Sequence, residues 1–147
     1  MVKKNFINSK NITKITFGES IDMNIIFKMN KMLSLKEIVF GNDYHFKGNK
    51  LFRINNGTLS SIHLKPYITK INGNVIQYTQ LTSYTIPTNV TKLNNNCFIK
   101  CRQLTEIKGL EQIKEFEKGC FFGCNKLNLD QYPQLKEMKE YLFSQPK

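Results

Sequence analysis

The 147-residue chain contains no alanine and no tryptophan, and only two of its 22 basic side chains, Arg53 and Arg102, are arginine. Lysine, asparagine and isoleucine instead supply 53 of the 147 positions, a bias of the kind an AT-rich coding sequence produces. The shortage of arginine changes the meaning of the net charge of +11. A surface selected to grip phosphate usually uses the bidentate guanidinium fork, so a lysine-dominated excess is only weak support for nucleic-acid binding. Long apolar runs are missing too: the longest, such as Asn24-Ile25-Ile26-Phe27, fall far short of the roughly 18 residues a bilayer crossing needs. Met1-Val2-Lys3-Lys4 opens like a secretory signal, but Asn5 to Asn11 holds neither an apolar segment nor a small-residue cleavage site. The expectation is a cytoplasmic protein without a membrane span, with surface exposure as the alternative. The sequons at Asn11, Asn56 and Asn89 would then be unused.

Catalytic signatures are absent as well. No G-x-x-x-x-G-K-[ST], G-x-G-x-x-G or H-E-x-x-H occurs, and Ser60-Ser61 lacks a nucleophile elbow. His45 and His63 have no carboxylate or cysteine at triad or metal spacing. The reading is a non-enzyme with no cofactor and no metal. The length suits one domain, which if compact buries roughly 68–70% of its unfolded surface.

What is present is a repeat. Asn96-Cys97-Phe98-Ile99-Lys100-Cys101-Arg102-Gln103-Leu104 and Gly119-Cys120-Phe121-Phe122-Gly123-Cys124-Asn125-Lys126-Leu127 share C-F-x-x-C-x-x-L at a shift of 23. Walking back from the closing leucine gives Leu127, Leu104, Leu81, Leu59, Leu35 and Ile12, at steps of 23, 23, 22, 24 and 23. After each anchor an alternating pattern follows: Ile15/Phe17, Ile38/Phe40, Ile62/Leu64, Tyr84/Ile86 and, less cleanly, Ile107/Gly109. Period two is the mark of a short strand with one buried face. Later in the unit a second apolar pair recurs (Ile68/Ile71, Val90/Leu93, Ile113/Phe116, Leu135/Met138) and would close the opposite wall. One such coil cannot hide its apolar side, but coils stacked at about 4.8 Å bury a continuous core.

The run from Ile86 to Ile107, I-P-T-N-V-T-K-L-N-N-N-C-F-I-K-C-R-Q-L-T-E-I, resembles the BspA-like class of leucine-rich repeats, of the type expanded in anaerobic parasitic protists. The resemblance is strongest over residues 81–127, fair by spacing over 59–80 and 128–147, and only periodic over 1–58, where Met29 and Arg53 stand in the place of Phe98 and Phe121. It implies an α/β right-handed solenoid used for protein–protein contact, with one short parallel strand per repeat and loops, 3-10 or short helical turns on the other face. The expected organisation is one domain over 1–147: degenerate repeats or a cap over 1–58, the clearest repeats over 59–127, a partial repeat or cap over 128–147.

The spacing C-x3-C, eighteen residues, C-x3-C superficially suggests a four-thiolate zinc site. The repeat accounts for Cys97, Cys101, Cys120 and Cys124 without a metal, because they superpose pairwise at the shift that relates Phe98 to Phe121. Buried cysteine acts as a small hydrophobe, and an interior ladder is the simpler reading. Cys101 and Cys124 could come close enough to oxidise, though a reducing compartment would keep them as thiols.

The outward strand positions are the candidates for binding a partner: Lys14, Thr16, Glu37, Val39, Ser61, His63, Ser83, Thr85, Glu106 and Lys108. Their mixture of charge and hydroxyl points to another protein. Since residues 1–73 carry a net charge of +8 and 74–147 only +3, an acidic partner would prefer the N-terminal half. Phe6, Phe17, Phe27, Tyr44 and Phe46 interleave with lysines there and in principle could stack bases. A basic nucleic-acid-binding protein and a surface adhesion protein are the rival readings. At the C-terminus Leu135, Met138 and Phe143 repeat Ile113, Phe116 and Phe121 at 22 residues, leaving a final strand edge. A helical turn over Glu137 to Phe143, or an end-to-end homodimer, would cover it.

Overall fold

The structure, a computed structural model, describes residues 11–18 and 31–146; Phe6, Phe27 and Met29 lie outside them. In chain order the strands are β1 (Lys14–Thr16), β2 (Glu37–Val39), β3 (Tyr44–Lys47), β4 (Lys50–Asn55), β5 (Thr58–His63), β6 (Lys70–Ile71), β7 (Asn74–Val75), β8 (Ser83–Thr85), β9 (Lys92–Leu93), β10 (Glu106–Lys108) and β11 (Glu115–Phe116). The alternation around Ile38, Tyr84 and Ile107 makes three-residue strands whose central side chain is buried and whose flanks are not.

The one-repeat register holds near both ends of the chain. β1 runs parallel to β2 with Lys14 opposite Glu37, β8 to β10 with Ser83 opposite Glu106, and β9 to β11 with Lys92 opposite Glu115, each a step of 23. Tyr84 and Ile107 from the first C-terminal sheet share one buried cluster with Leu93 and the half-buried Phe116 from the second, and Cys97, Cys101, Cys120 and Cys124 lie in it. Of the second apolar pairs, Val90/Leu93 and Ile113/Phe116 meet through Leu93 and Phe116 on a short parallel sheet, β9 with β11, whereas Ile71 joins the first sheet on β6 and Leu135/Met138 stand in a 3-10 turn.

The middle of the chain departs from the regular spacing, and the expected row of Leu35, Leu59, Leu81 and Leu104 does not form. On the side away from β1, the parallel neighbour of β2 is β6, Glu37 opposite Lys70, a step of 33. β5 runs parallel to β9, Thr58 opposite Lys92, a step of 34, which places Leu59 beside Leu93 on the second wall. The cause is turn chemistry. Asn56-Gly57 (φ 51° and 80°) and Asn72-Gly73 (φ 52° and 83°) have positive φ at both residues, the condition of a type I′ hairpin, and Gly48 (φ 67°) opens a two-residue turn with Asn49. These turns fold β3, β4 and β5 into an antiparallel meander and β6 back on β7.

The meander is apolar on both faces. Tyr44, Leu51 and Ile62 join a second buried cluster with Phe17, Leu35, Ile38, Ile68 and Ile71, while Phe52 and Leu59 join the C-terminal cluster. The rings beside Phe98 on this side are therefore Tyr84, at 5.4 Å between centroids, and Phe52, at 6.0 Å. Arg53, one residue on, is turned to the other face with its guanidinium over Tyr44. The phenylalanine column itself runs as the spacing predicts: Phe98 to Phe121 at 5.9 Å and Phe121 to Phe143 at 6.1 Å.

At the C-terminal end, two 3-10 turns (Leu129–Gln131 and Pro133–Met138) lead into helix α1 (Lys139–Phe143). The chain covers this end itself. Ile107 N donates to Tyr132 Oη (2.8 Å), Gly119 N to Tyr141 O (3.0 Å) and Phe121 N to Leu142 O (2.9 Å). No helix among the described residues is long and apolar enough to cross a membrane.

Candidate interaction surface

Strand register decides which side chains share a face. On the β1–β2–β6 sheet Lys14, Glu37 and Lys70 stand opposite one another, a row of alternating charge. Lys14, Thr16 and Lys70 are exposed and Glu37 and Val39 half-buried. Glu37 is held in place by Gly73 N, which donates to Oε2 at 2.9 Å. On the β8–β10 sheet Ser83 faces Glu106 and Thr85 faces Lys108, all four exposed. These rows offer hydroxyls and opposed charges at the spacing of parallel strands, about 4.8 Å. Among the described residues they bring no nucleophile to a base, and the alternating signs rule out a continuous cationic stripe.

Two expected surface residues belong elsewhere. Ser61 and His63 lie on β5, and the register of the meander turns their face toward the C-terminal core. Ser61 is fully buried. Its Oγ donates to Cys97 O at 2.6 Å and Asn96 O at 3.1 Å. Lys50, across the strand from His63 and fully buried itself, donates from Nζ to the same carbonyls at 2.8 and 3.1 Å. Cys97 Sγ contacts Leu59 O at 2.6 Å. These bonds join the meander to the first cysteine-bearing turn, where buried polar groups need partners.

Burial draws the Lys50 ammonium below its ordinary range. His63 is drawn down to about 4, first by burial and then by the charges of Lys50, Lys100 and Arg102. His45 also is drawn down by burial; its Nε2 lies 2.8 Å from Tyr84 Oη and its ring stacks on Phe52. Phe17 and Tyr44, candidates for base stacking, are buried against each other. All four cysteines are buried free thiols, and among the described residues no three His, Cys, Asp or Glu side chains converge as metal ligands.

Comparison with known proteins decides the family. A model of the BspA type leucine-rich repeat region matches in six copies, over residues 2–105 and 29–147. The chain belongs to the BspA-type leucine-rich repeat family. No curated protein and no solved structure matches it. The leucine-rich repeat accounts for the step of 23 in three strand pairs, and also for which side chains are free: the strand flanks stay outward while the anchor leucines Leu35, Leu81 and Leu104 are buried.

Lys70 and Lys50 escaped the sequence reading. Lys70 takes its place in the outward row because β6, not the stretch after Leu59, follows β2. The signal was the pair of Asn-Gly dipeptides, which mark hairpins directly. Nothing local announces Lys50 as buried; its setting depends on carbonyls 46 and 47 residues away.

Proposed function

We propose that this leucine-rich repeat protein is a non-catalytic interaction module, a right-handed solenoid with a hairpin insertion, which docks a protein partner on the outward faces of its short parallel strands. The observation that carries the reading is the in-register placement of exposed Lys14, half-buried Glu37 and exposed Lys70 on one sheet, and of exposed Ser83, Glu106, Thr85 and Lys108 on the other. Positions that the core does not consume and the backbone holds at fixed spacing suit rigid-body recognition. The excess positive charge of the N-terminal half favours an acidic partner there.

The test is capture of a partner from source-cell extract at about 0.5 M salt, where contacts made only to phosphate are largely lost. Thr85→Arg combined with Lys108→Glu should abolish capture, while Lys114→Glu, an exposed change outside those rows, should leave it intact. Recovery of nucleic acid that falls away steeply with salt would replace this reading by the nucleic-acid one.

A further inference from the structure

Cys101 and Cys124 occupy the same place in successive repeats, and the structure brings the backbone ahead of them into contact. Lys100 and Gly123, the residues just before each cysteine, both have left-handed φ (58° and 81°). A Cβ on Gly123 would lie 2.9 Å from Lys100 Cα, and Lys100 N donates to Phe122 O at 2.5 Å. Cys101 N and Cys124 Sγ both donate to Phe98 O, at 3.1 and 2.9 Å, and the buried Lys50 ammonium is held by the nearby carbonyls Asn96 O and Cys97 O. Cys101, between the exposed Lys100 and Arg102, keeps 5% exposure, the most of the four thiols. Cys97 and Cys120 are fully buried.

We propose that Cys101 and Cys124 form a reversible redox pair, with Cys101 the thiol that a hydroperoxide oxidises and Cys124 the thiol that closes the disulfide, near the buried cation of Lys50. The electrostatics agree with this division. The neighbouring Cys124 thiol, together with the Lys50 charge, draws Cys101 below the ordinary thiol range. Cys124 holds the remaining proton of the pair well above the ordinary thiol range. Burial pushes Cys97 well up and Cys120 up to about 12, so both stay protonated. Thiolate character is what selects the site of oxidation.

In the first step the Cys101 thiolate attacks the distal oxygen of the hydroperoxide. The O–O bond breaks, the leaving oxygen takes a proton to become an alcohol (water, for hydrogen peroxide), and Cys101 becomes a sulfenic acid. The sulfur of Cys124, giving up its proton, then attacks that sulfenic sulfur and displaces hydroxide, which leaves as water. Two thiols and one hydroperoxide yield one disulfide, one alcohol and one water, with two electrons passing from the sulfurs to the O–O bond. A small-molecule thiol returns the pair to the reduced state by exchange. The bridge joins neighbouring repeats, so oxidation should lock the cysteine-bearing turns together.

The experiment exposes the 147-residue protein to equimolar hydrogen peroxide near neutral pH, alkylates the remaining thiols and maps them by mass spectrometry. The expected product is a Cys101–Cys124 bridge with Cys97 and Cys120 still alkylated, formed at a rate proportional to peroxide. Lys50→Met should slow it roughly tenfold. Cys124→Ser should leave a sulfenic acid on Cys101, trapped by a 1,3-dione probe, and this readout decides the matter if Lys50→Met does not fold. Oxidation of Cys97 or Cys120 as fast as Cys101, or a bridging rate independent of peroxide and set by unfolding, would overturn the proposal.

Discussion

The middle and the C-terminal region of the molecule solve the same stacking problem by different means. From Leu81 onward, successive repeats support one another directly: Lys126 Nζ donates to Gln103 Oε1 at 2.7 Å, Thr105 Oγ1 to Thr82 O at 3.2 Å, and Gln112 Nε2 to Val90 O at 2.8 Å. Between β2 and β6 the chain takes 33 residues, and the extra length becomes a meander buried on both faces. The repeat survives because β5 offers β9 a parallel edge, as a regular coil would. A leucine-rich repeat core thus constrains its walls more tightly than the length of chain between them.

The sharpest way to break this comparison is to cut the aromatic column that the C-terminal region builds at repeat spacing. Phe121→Ala removes a fully buried ring in contact with Phe98 and Phe143, and should cost about 3–5 kcal/mol. Phe46, half-buried against Tyr78, should lose about half of that on truncation. Equal shifts of the urea midpoint for the two variants would show that the column is not the main support of the regular half.

The next largest effect tests the hairpins. Gly57→Ala places a Cβ on a residue at φ 80° and 3.2 Å from Thr91 Oγ1, at a cost of about 1–3 kcal/mol. Hydrogen exchange should show protection lost first in β3 to β5 and retained around Phe121. Uniform loss would mean that the meander and the C-terminal coils unfold as one unit.

The contrast between the regions also explains what was legible. The C-F-x-x-C-x-x-L repeat displayed the buried ladder of Leu104, Leu127, Phe98, Phe121 and the cysteines, because 23-residue self-similarity reports stacking directly. Of the outward residues Lys14, Thr16, Ser83, Thr85, Glu106 and Lys108 emerged exposed for the same reason. Ser61 and His63 did not, because Ile62 and Leu64 alternate as well in a meander as in a coil. Asn56-Gly57 carried the local information that separates the two, and the spacing of Leu59 from Leu81 outweighed it. The Lys50–Ser61–Cys97 junction was beyond reach, being made of contacts between segments far apart in the chain.

A smaller effect reports on that junction. Since His63 has a folded value of about 4 and an unfolded one near 6.5, the unfolded chain takes up the proton first. Stability is therefore complete above pH 6.5 and falls as pH drops from 6.5 toward 4. The loss should be about 1–2 kcal/mol after solvent screening, read as a lower urea midpoint at pH 4.5 than at pH 7. His63→Gln should remove most of this pH dependence. If it does not, carboxylates rather than the meander face set the acid limit.

The smallest effect concerns the only non-glycine left-handed residue in the described C-terminal coils, Lys100 at φ 58°, whose equivalent one repeat later is Gly123 at φ 81°. A left-handed residue with a side chain bears about 1–2 kcal/mol of steric strain, and glycine returns about 0.5–1 kcal/mol of that in unfolded-state entropy. Lys100→Gly should thus raise stability by about 0.5–1 kcal/mol while keeping the Lys100 N to Phe122 O bond. It also removes one of the three cations that hold His63 down. Protonation of His63 then becomes less unfavourable in the folded state, and the gain should be larger at pH 5 than at pH 7. A gain that is the same at both pH values would separate the backbone strain at this turn from the charge cluster beneath it.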